Sequence, residues 1–199
     1  MKKIILTSCV ILLTTLLSGQ NFRVAVTPIS NVFHSKYVGD TYDNPKLGFN
    51  ANLDYLFSTN NSVNFGIGLD YQSSKTLNVR PIGPAELSAQ AEKINICSIS
   101  LKSMFKLTKE FYFSFDPTID YQANYDKTQI TDNQSGIGLS VGAGGNFIIN
   151  NFLQFNVEPR LWIHNIIPFN DIKSPFRLSA AGINLGLIFG HNTDQRLEK

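Results

Sequence analysis

The chain has 199 residues, of which 43% are hydrophobic, 12% aromatic and only 16% charged. That length fits one domain with a sizeable core, and the low charge is far below the 25–35% or so expected of a soluble surface. With 17 basic against 15 acidic residues, the chain lacks the basic footprint of a nucleic-acid binder.

Residues 1–20 read as a cleaved secretory leader. Lys2 and Lys3 form a basic start, Ile4–Leu17 an apolar stretch, and Ser18-Gly19-Gln20 a small, polar exit. The apolar stretch is shorter than the roughly 20 residues of a spanning helix, and an uncleaved anchor is the rival reading. Leu6-Thr7-Ser8-Cys9 has the look of a lipobox, yet Cys9 comes close behind the lysines and the apolar run continues past it, whereas a lipid-bearing cysteine should follow that run. Without Lys2 and Lys3 the remaining 15 basic residues balance the 15 acidic ones. Cys97 is then the sole cysteine, so no internal disulfide forms, and no CxxC or HExxH spacing points to a metal.

From Phe22 onward the chain alternates apolar and polar residues, the period that places one set of side chains on each face of a strand. A first strand spans Phe22–Val32, with Arg23, Ala25 and Thr27 opposite Phe22, Val24 and Val26; Pro28 weakens its far half. A polar segment, His34 to Pro45, separates it from the clearest pair. Leu47, Phe49, Ala51, Leu53, Tyr55 and Phe57 share one parity in the second strand, and Val63, Phe65, Ile67, Leu69 and Tyr71 in the third. Ser73–Glu92 is expected to be the longest loop, with a short helix over Pro84–Ala91. The fourth strand, Lys93–Leu107, turns Ile99, Leu101, Phe105 and Leu107 outward. Ile94 and Ile96 break that parity, which predicts a bulge near Cys97 and Ser98.

A tight turn at Thr108-Lys109-Glu110 leads to a fifth strand carrying Phe111, Phe113, Phe115, Ile119 and Tyr121 on one face. After a polar loop, Ala123 to Gln134, a sixth strand runs from Gly136 to Ile149. Its second face is a glycine row (Gly136, Gly138, Gly142, Gly144) expected to make room for Arg160, Trp162 or other bulky neighbours. Asn150-Asn151 suits a two-residue turn with positive φ angles. The seventh strand sets Gln154, Asn156, Glu158, Arg160, Trp162 and His164 opposite Leu153, Phe155, Val157, Leu161 and Ile163. A loop at Asn165–Pro175 precedes the eighth strand, which ends in Ile183, Leu185, Leu187 and Phe189, and residues 191–199 form a polar tail.

The fold class is therefore all-β: an eight-stranded antiparallel up-and-down barrel over residues 21–190. Connections of about two to five residues alternate with ones of about ten to twenty, as in outer-membrane barrels with short periplasmic turns, long extracellular loops and both termini in the periplasm. Phe22, Tyr55, Phe57, Phe105, Phe111, Phe113, Phe147, Phe152 and Phe189 gather at the short-turn ends, and Tyr71 and Tyr121 at the other, as two aromatic girdles would. A soluble lipocalin-like barrel would invert the faces; the sparse charge of the polar face argues for the membrane.

The basic leader, the glycine-punctuated strands and the ending Ile183-Asn184-Leu185-Gly186-Leu187-Ile188-Phe189 resemble the small outer-membrane β-barrel domain proteins of the Bacteroidetes type, OmpA/OmpX-like in strand number. The resemblance covers about Phe22 to Phe189. It implies a fold and a place in the cell outer membrane, without a catalytic motif to transfer.

Asp54, Asp70, Lys102, Asp116, Asp120, Glu158 and Arg160 share the inward parity, and an eight-stranded lumen is just wide enough for side chains to fill. Glu158 and His164 as an acid–base pair would make a lipid-modifying membrane enzyme. Six residues on one strand, about 20 Å, keep them apart, and an adjacent His34-Ser35 in a loop is no triad. The expectation is a filled, non-enzymatic barrel with no catalytic, metal or cofactor residues, a lipid-modifying enzyme or small pore being the alternative. Its partners would be outer-membrane lipid and lipopolysaccharide, with a surface or envelope protein met by the long loops at Ser73–Glu92 and Asn165–Pro175.

Overall fold

A computed structural model describes residues 20–34, 47–58, 62–81, 87–126, 132–170 and 177–190. The leader, the His34–Ser35 side chains, most of the first long connection and the 191–199 tail lie outside the described residues. Eight strands form one closed barrel, each antiparallel to its sequence neighbours and β1 closing against β8. They are β1 (Gln20–His34), β2 (Leu47–Ser58), β3 (Val63–Pro81), β4 (Leu87–Lys106), β5 (Phe111–Gln122), β6 (Gly136–Ile148), β7 (Leu153–Pro168) and β8 (Arg177–Phe189).

Following cross-strand partners from Ser100 reaches Gly138 on β6 one way round. The other way, through Gly68, Asp54, Arg23, Ile188 and Gln154, reaches Ile148. The ten-residue offset on β6 is the stagger that tilts the strands and closes the cylinder.

Alternation fixes which face is which. On β5 exposed and buried residues alternate without interruption, and the exposed set is Phe111, Phe113, Phe115, Pro117, Ile119 and Tyr121. The apolar parity faces outward on every strand, so the lipocalin-like inversion does not hold. Tyr55 and Phe57 touch at 6.5 Å between ring centroids, Phe152 and Phe189 at 6.3 Å near the short turns, and Phe49 and Tyr71 at 6.0 Å near the other end.

Several local expectations are corrected. β3 and β4 stay paired up to Pro81↔Leu87, so residues 73–81 and 87–92 are paired strand rather than loop. Residues 87–91, expected to be helical, are strand; 82–86 lie outside the described residues. Beyond Ser73, β3 pairs only with β4, and a two-stranded ribbon tolerates Pro81 because its outer edge needs no donor.

No bulge occurs at Cys97: the β3–β4 register runs unbroken from Val63↔Phe105 past Tyr71↔Cys97. Ile94 and Ile96 keep their parity and point inward, fully buried. The irregularity sits instead between β6 and β7, where pairing jumps from Ile137↔Ile167 to Leu139↔Ile163. Asn165 lies in that insertion with a φ of 53°, the left-handed region that asparagine tolerates better than most side chains. The β6–β7 turn is not the two-residue type either. Four residues (149–152) separate the strands, and the Asn150 side chain accepts from the Phe152 and Leu153 amides at 2.9 Å each. Among the described residues only Asn165 and Gly190 have positive φ. Thr108 plays the same part in the β4–β5 turn, accepting from Glu110 and Phe111.

Candidate functional site

The inward face of the barrel is the chemically distinctive region. Every charged residue assigned to the lumen from parity is buried there: Asp54, Asp70, Lys102, Asp116, Asp120, Glu158 and Arg160. Arg23 joins them, fully buried, so the lumen holds a third permanent cation that sequence reasoning passed over. Its signal was present. Arg23 shares the parity of Ala25 and Thr27, and it is the cross-strand partner of Asp54.

Six of these groups close into a ring of alternating charge. Arg23 Nε lies 2.6 Å from Asp54 Oδ2, and Lys102 Nζ lies 3.3 Å from Asp54 Oδ1 and 3.5 Å from Asp116 Oδ2. Arg160 Nη1 is 2.8 Å from Asp116 Oδ2, and its Nη2 is 2.8 Å from Glu158 Oε1. Arg23 Nη1 completes the circuit 3.0 Å from Glu158 Oε2. Three cations and three carboxylates thus cancel around the lumen, drawn from β1, β2, β4, β5 and β7. Asp70 hangs from Lys102 at 3.5 Å and also accepts from Ser100 Oγ at 2.9 Å. Charges so far from water persist only when paired and hydrogen-bonded, and neutral groups supply the rest. Ser114 donates to Glu158 at 2.5 Å, Asn156 donates to the Tyr112 hydroxyl at 2.7 Å, and Arg160 donates to Ser140 at 3.2 Å. The Arg160 guanidinium also lies 6.0 Å from the Trp162 ring centre, within cation–π range.

The glycine row makes this packing feasible. A Cβ on Gly142 would sit 2.5 Å from Glu158 Oε1 and 2.9 Å from Ser114 Oγ; one on Gly144 would lie 2.8 Å from both Glu158 Cβ and the Tyr112 hydroxyl. The bulky neighbours that the row seats most closely are Glu158 and its partners. On β3, Gly68 clears the same kind of space for Lys102 and Asp54. Gly142→Val should cost about 1–3 kcal/mol by overpacking, read as a lower urea midpoint for the refolded barrel.

Apolar layers cap the charged ring, which parity alone did not suggest. Leu56, Met104 and Tyr112 meet across the lumen from β2, β4 and β5 near the short-turn end. Toward the opposite end, Ile29, Trp162 and Ala180 form one cluster, and Ile94, Ile96 and Leu178 another. Gln134, just before β6, is buried at that end and links β5 to β8. Its amide nitrogen donates to Gln122 Oε1 and its side-chain oxygen accepts from the Leu178 amide, both at 2.8 Å. Asn133 O accepts from Asn165 Nδ2 at 2.9 Å, tying the same segment to the β7 irregularity.

Glu158 and His164 do not come together. His164 contacts Asp120 at 2.9 Å through Nδ1 and Gln72 at 3.1 Å through Nε2, while Glu158 is held by two arginines. Among the described residues no group of three or more His, Cys, Asp or Glu side chains is arranged to hold a metal ion. Cys97 is exposed on the outer wall.

No protein-family profile and no curated protein matches the chain. Solved structures do match in fold. The neisserial surface protein A, NspA, is 13% identical with a TM-score of 0.56, over 87% of this chain and 97% of that one. Ail of Yersinia pestis, solved with the heparin analogue sucrose octasulfate, is 12% identical over 85% of this chain and 99% of Ail, with a TM-score of 0.47. OprG of Pseudomonas aeruginosa is 10% identical over 86% and 95%, with a TM-score of 0.42. At 13% identity the likeness to NspA is one of fold, the small closed eight-stranded barrel.

Proposed function

We propose that the chain is an integral outer-membrane β-barrel protein with a sealed lumen and no enzymatic activity, which acts as an envelope scaffold presenting its longer connections at the cell surface. The observation that carries this reading is the pairing of an apolar outer wall with a charge-neutral ring and apolar caps inside. The wall suits lipid, and an interior filled by side chains supports a lumen that conducts little. In this reading residues 1–20 are the removed leader, the four-residue turns and both termini face the periplasm, and residues 191–199 form a periplasmic tail. The long-connection end meets lipopolysaccharide and a surface or envelope protein. The glycine-punctuated β8 ending supports placing it beside the small barrels of the Bacteroidetes type.

Ile167 and Phe169 stand exposed where β7 leaves the barrel, and the β3–β4 ribbon extends beyond the rest of the sheet on the same side. These two features are the surfaces offered to a partner. Purified protein in planar bilayers should show little conductance. Large, steady channels would replace this reading with that of a small pore. Deleting the ribbon beyond Lys75 and Lys93 should leave barrel assembly intact while abolishing cross-links to surface partners in cells; unchanged cross-linking would remove the recognition role.

A further inference from the structure

The outer wall carries a feature that a uniform lipid-facing surface does not need. Val26, Ala51, Tyr71, Cys97 and Tyr121 are successive cross-strand partners from β1 to β5. The small residues Ala51 and Cys97 thus alternate with large ones along a single row. They open a concavity of about 680 Å³ whose walls include Val24, Leu53, Leu69, Ile99 and Ile119. That volume falls within the range of about 300–1,000 Å³ typical of ligand sites, and its lining is almost wholly apolar.

Above the groove the chemistry changes in an ordered way. Two residues beyond Tyr71 and Cys97, toward the long-connection end, Ser73 and Asn95 face each other and hydrogen-bond at 3.0 Å. Two further on, Lys75 and Lys93 are direct cross-strand partners, both exposed. Like charges placed opposite one another destabilise a sheet, and among the described residues no carboxylate pairs with either ammonium. Asn124 braces the rung beneath them, donating to the Lys93 carbonyl and accepting from the Asn95 amide at 2.8 Å.

Height places these lysines at a headgroup. Ten residues separate Phe65, the cross-strand partner of Phe57 in the lower girdle, from Lys75 on β3. At about 3.3 Å per residue and a tilt near 40°, that is about 25 Å along the axis, the height of the apolar band of such barrels. The order along the wall is therefore apolar groove, tyrosines, neutral polar rung and paired ammonium groups.

From this we infer that the β1–β5 wall binds one phosphorylated, acylated glycolipid of the outer leaflet, with lipid A phosphate between Lys75 and Lys93 and acyl chains in the groove over Ala51 and Cys97. The polar rung of Ser73 and Asn95 lies where the sugar and its ester linkages would pass. The site rests on the orientation given above, with the long connections at the outer leaflet. Charge complementarity singles out the occupant, since a neutral lipid would leave the facing ammonium groups uncompensated.

The test uses the full mature chain refolded in detergent, with native mass spectrometry counting retained lipid. Bisphosphorylated lipid A should be retained about tenfold more strongly than its dephosphorylated form, and the Lys75→Gln/Lys93→Gln double variant should lose that preference. Ala51→Trp, which fills the groove, should weaken both forms together. Equal retention of the two forms, an undiminished preference in the double variant, or equal retention of phosphatidylglycerol would each overturn the assignment. Heat-dependent gel mobility of the same samples reports barrel formation separately. A barrel that inserts in bilayers yet ignores the phosphate defeats this site alone, whereas failure to insert defeats the membrane reading.

Discussion

Glu158→Ala should lower the stability of the folded barrel by about 3–5 kcal/mol, the cost expected when one member of a buried ionic network is removed. Glu158 is the one carboxylate of the ring that bridges two arginines, Arg23 at 3.0 Å and Arg160 at 2.8 Å. Without it both guanidiniums keep a single carboxylate each, and neither can turn to water. Glu158→Gln should cost less, because the amide oxygen can still accept from Ser114, which donates to Oε1 of the carboxylate at 2.5 Å. The ordering follows from the asymmetry between losing a charge and stranding its partners. Urea titration of the barrel refolded into vesicles, followed by gel mobility, gives both values. An alanine variant within 1 kcal/mol or so of wild type would mean that water reaches the ring, and the sealed lumen would have to be abandoned.

Ile99→Arg should block insertion, at about 2–4 kcal/mol for a cation near the bilayer midplane of a barrel. The position is chosen by register. On β4 Ile99 lies six residues from Phe105 at the lower girdle and six from Lys93 at the upper boundary. It is 53% exposed, on the same outer row as Leu69 and Ile119 at 55% and 57%. Neither the ring nor the caps are touched, so a loss of insertion can only be charged to the lipid-facing wall. Arginine at Leu107, in the exposed short turn, should be far milder, since the penalty falls toward zero at the interface. Equal tolerance of the two substitutions in a vesicle-insertion assay would contradict a membrane-spanning wall.

Strand number, the closed all-β architecture and the sidedness of the charged residues were legible in the sequence because a pleated strand has a period of two. Once Val63–Tyr71 shows its parity, the faces of Asp70 and Leu69 follow without knowledge of any partner. The same rule misled where it was overridden. Ile94 and Ile96, opposite in parity to Ile99 and Leu101, predict a bulge near Cys97 and Ser98 that the register does not contain. The register keeps them inside, where Leu178 reaches them from across the barrel. Pro81, Gly83 and Pro84 suggest a loop, but a ribbon outside the barrel asks only that β3 and β4 satisfy each other.

What tertiary structure alone decided are the relations between strands far apart in sequence. Arg23 meets Glu158 across 135 positions, and no local pattern encodes that approach. It depends on the ten-residue stagger that brings β1 and β7 to one level of the lumen. Gln134 reaching Leu178, and Lys75 standing against Lys93 above a groove floored by Ala51 and Cys97, arise in the same way. Periodicity determines the face on which a side chain lies; closure and stagger determine the neighbours it finds there, because they set the height at which each strand crosses the others.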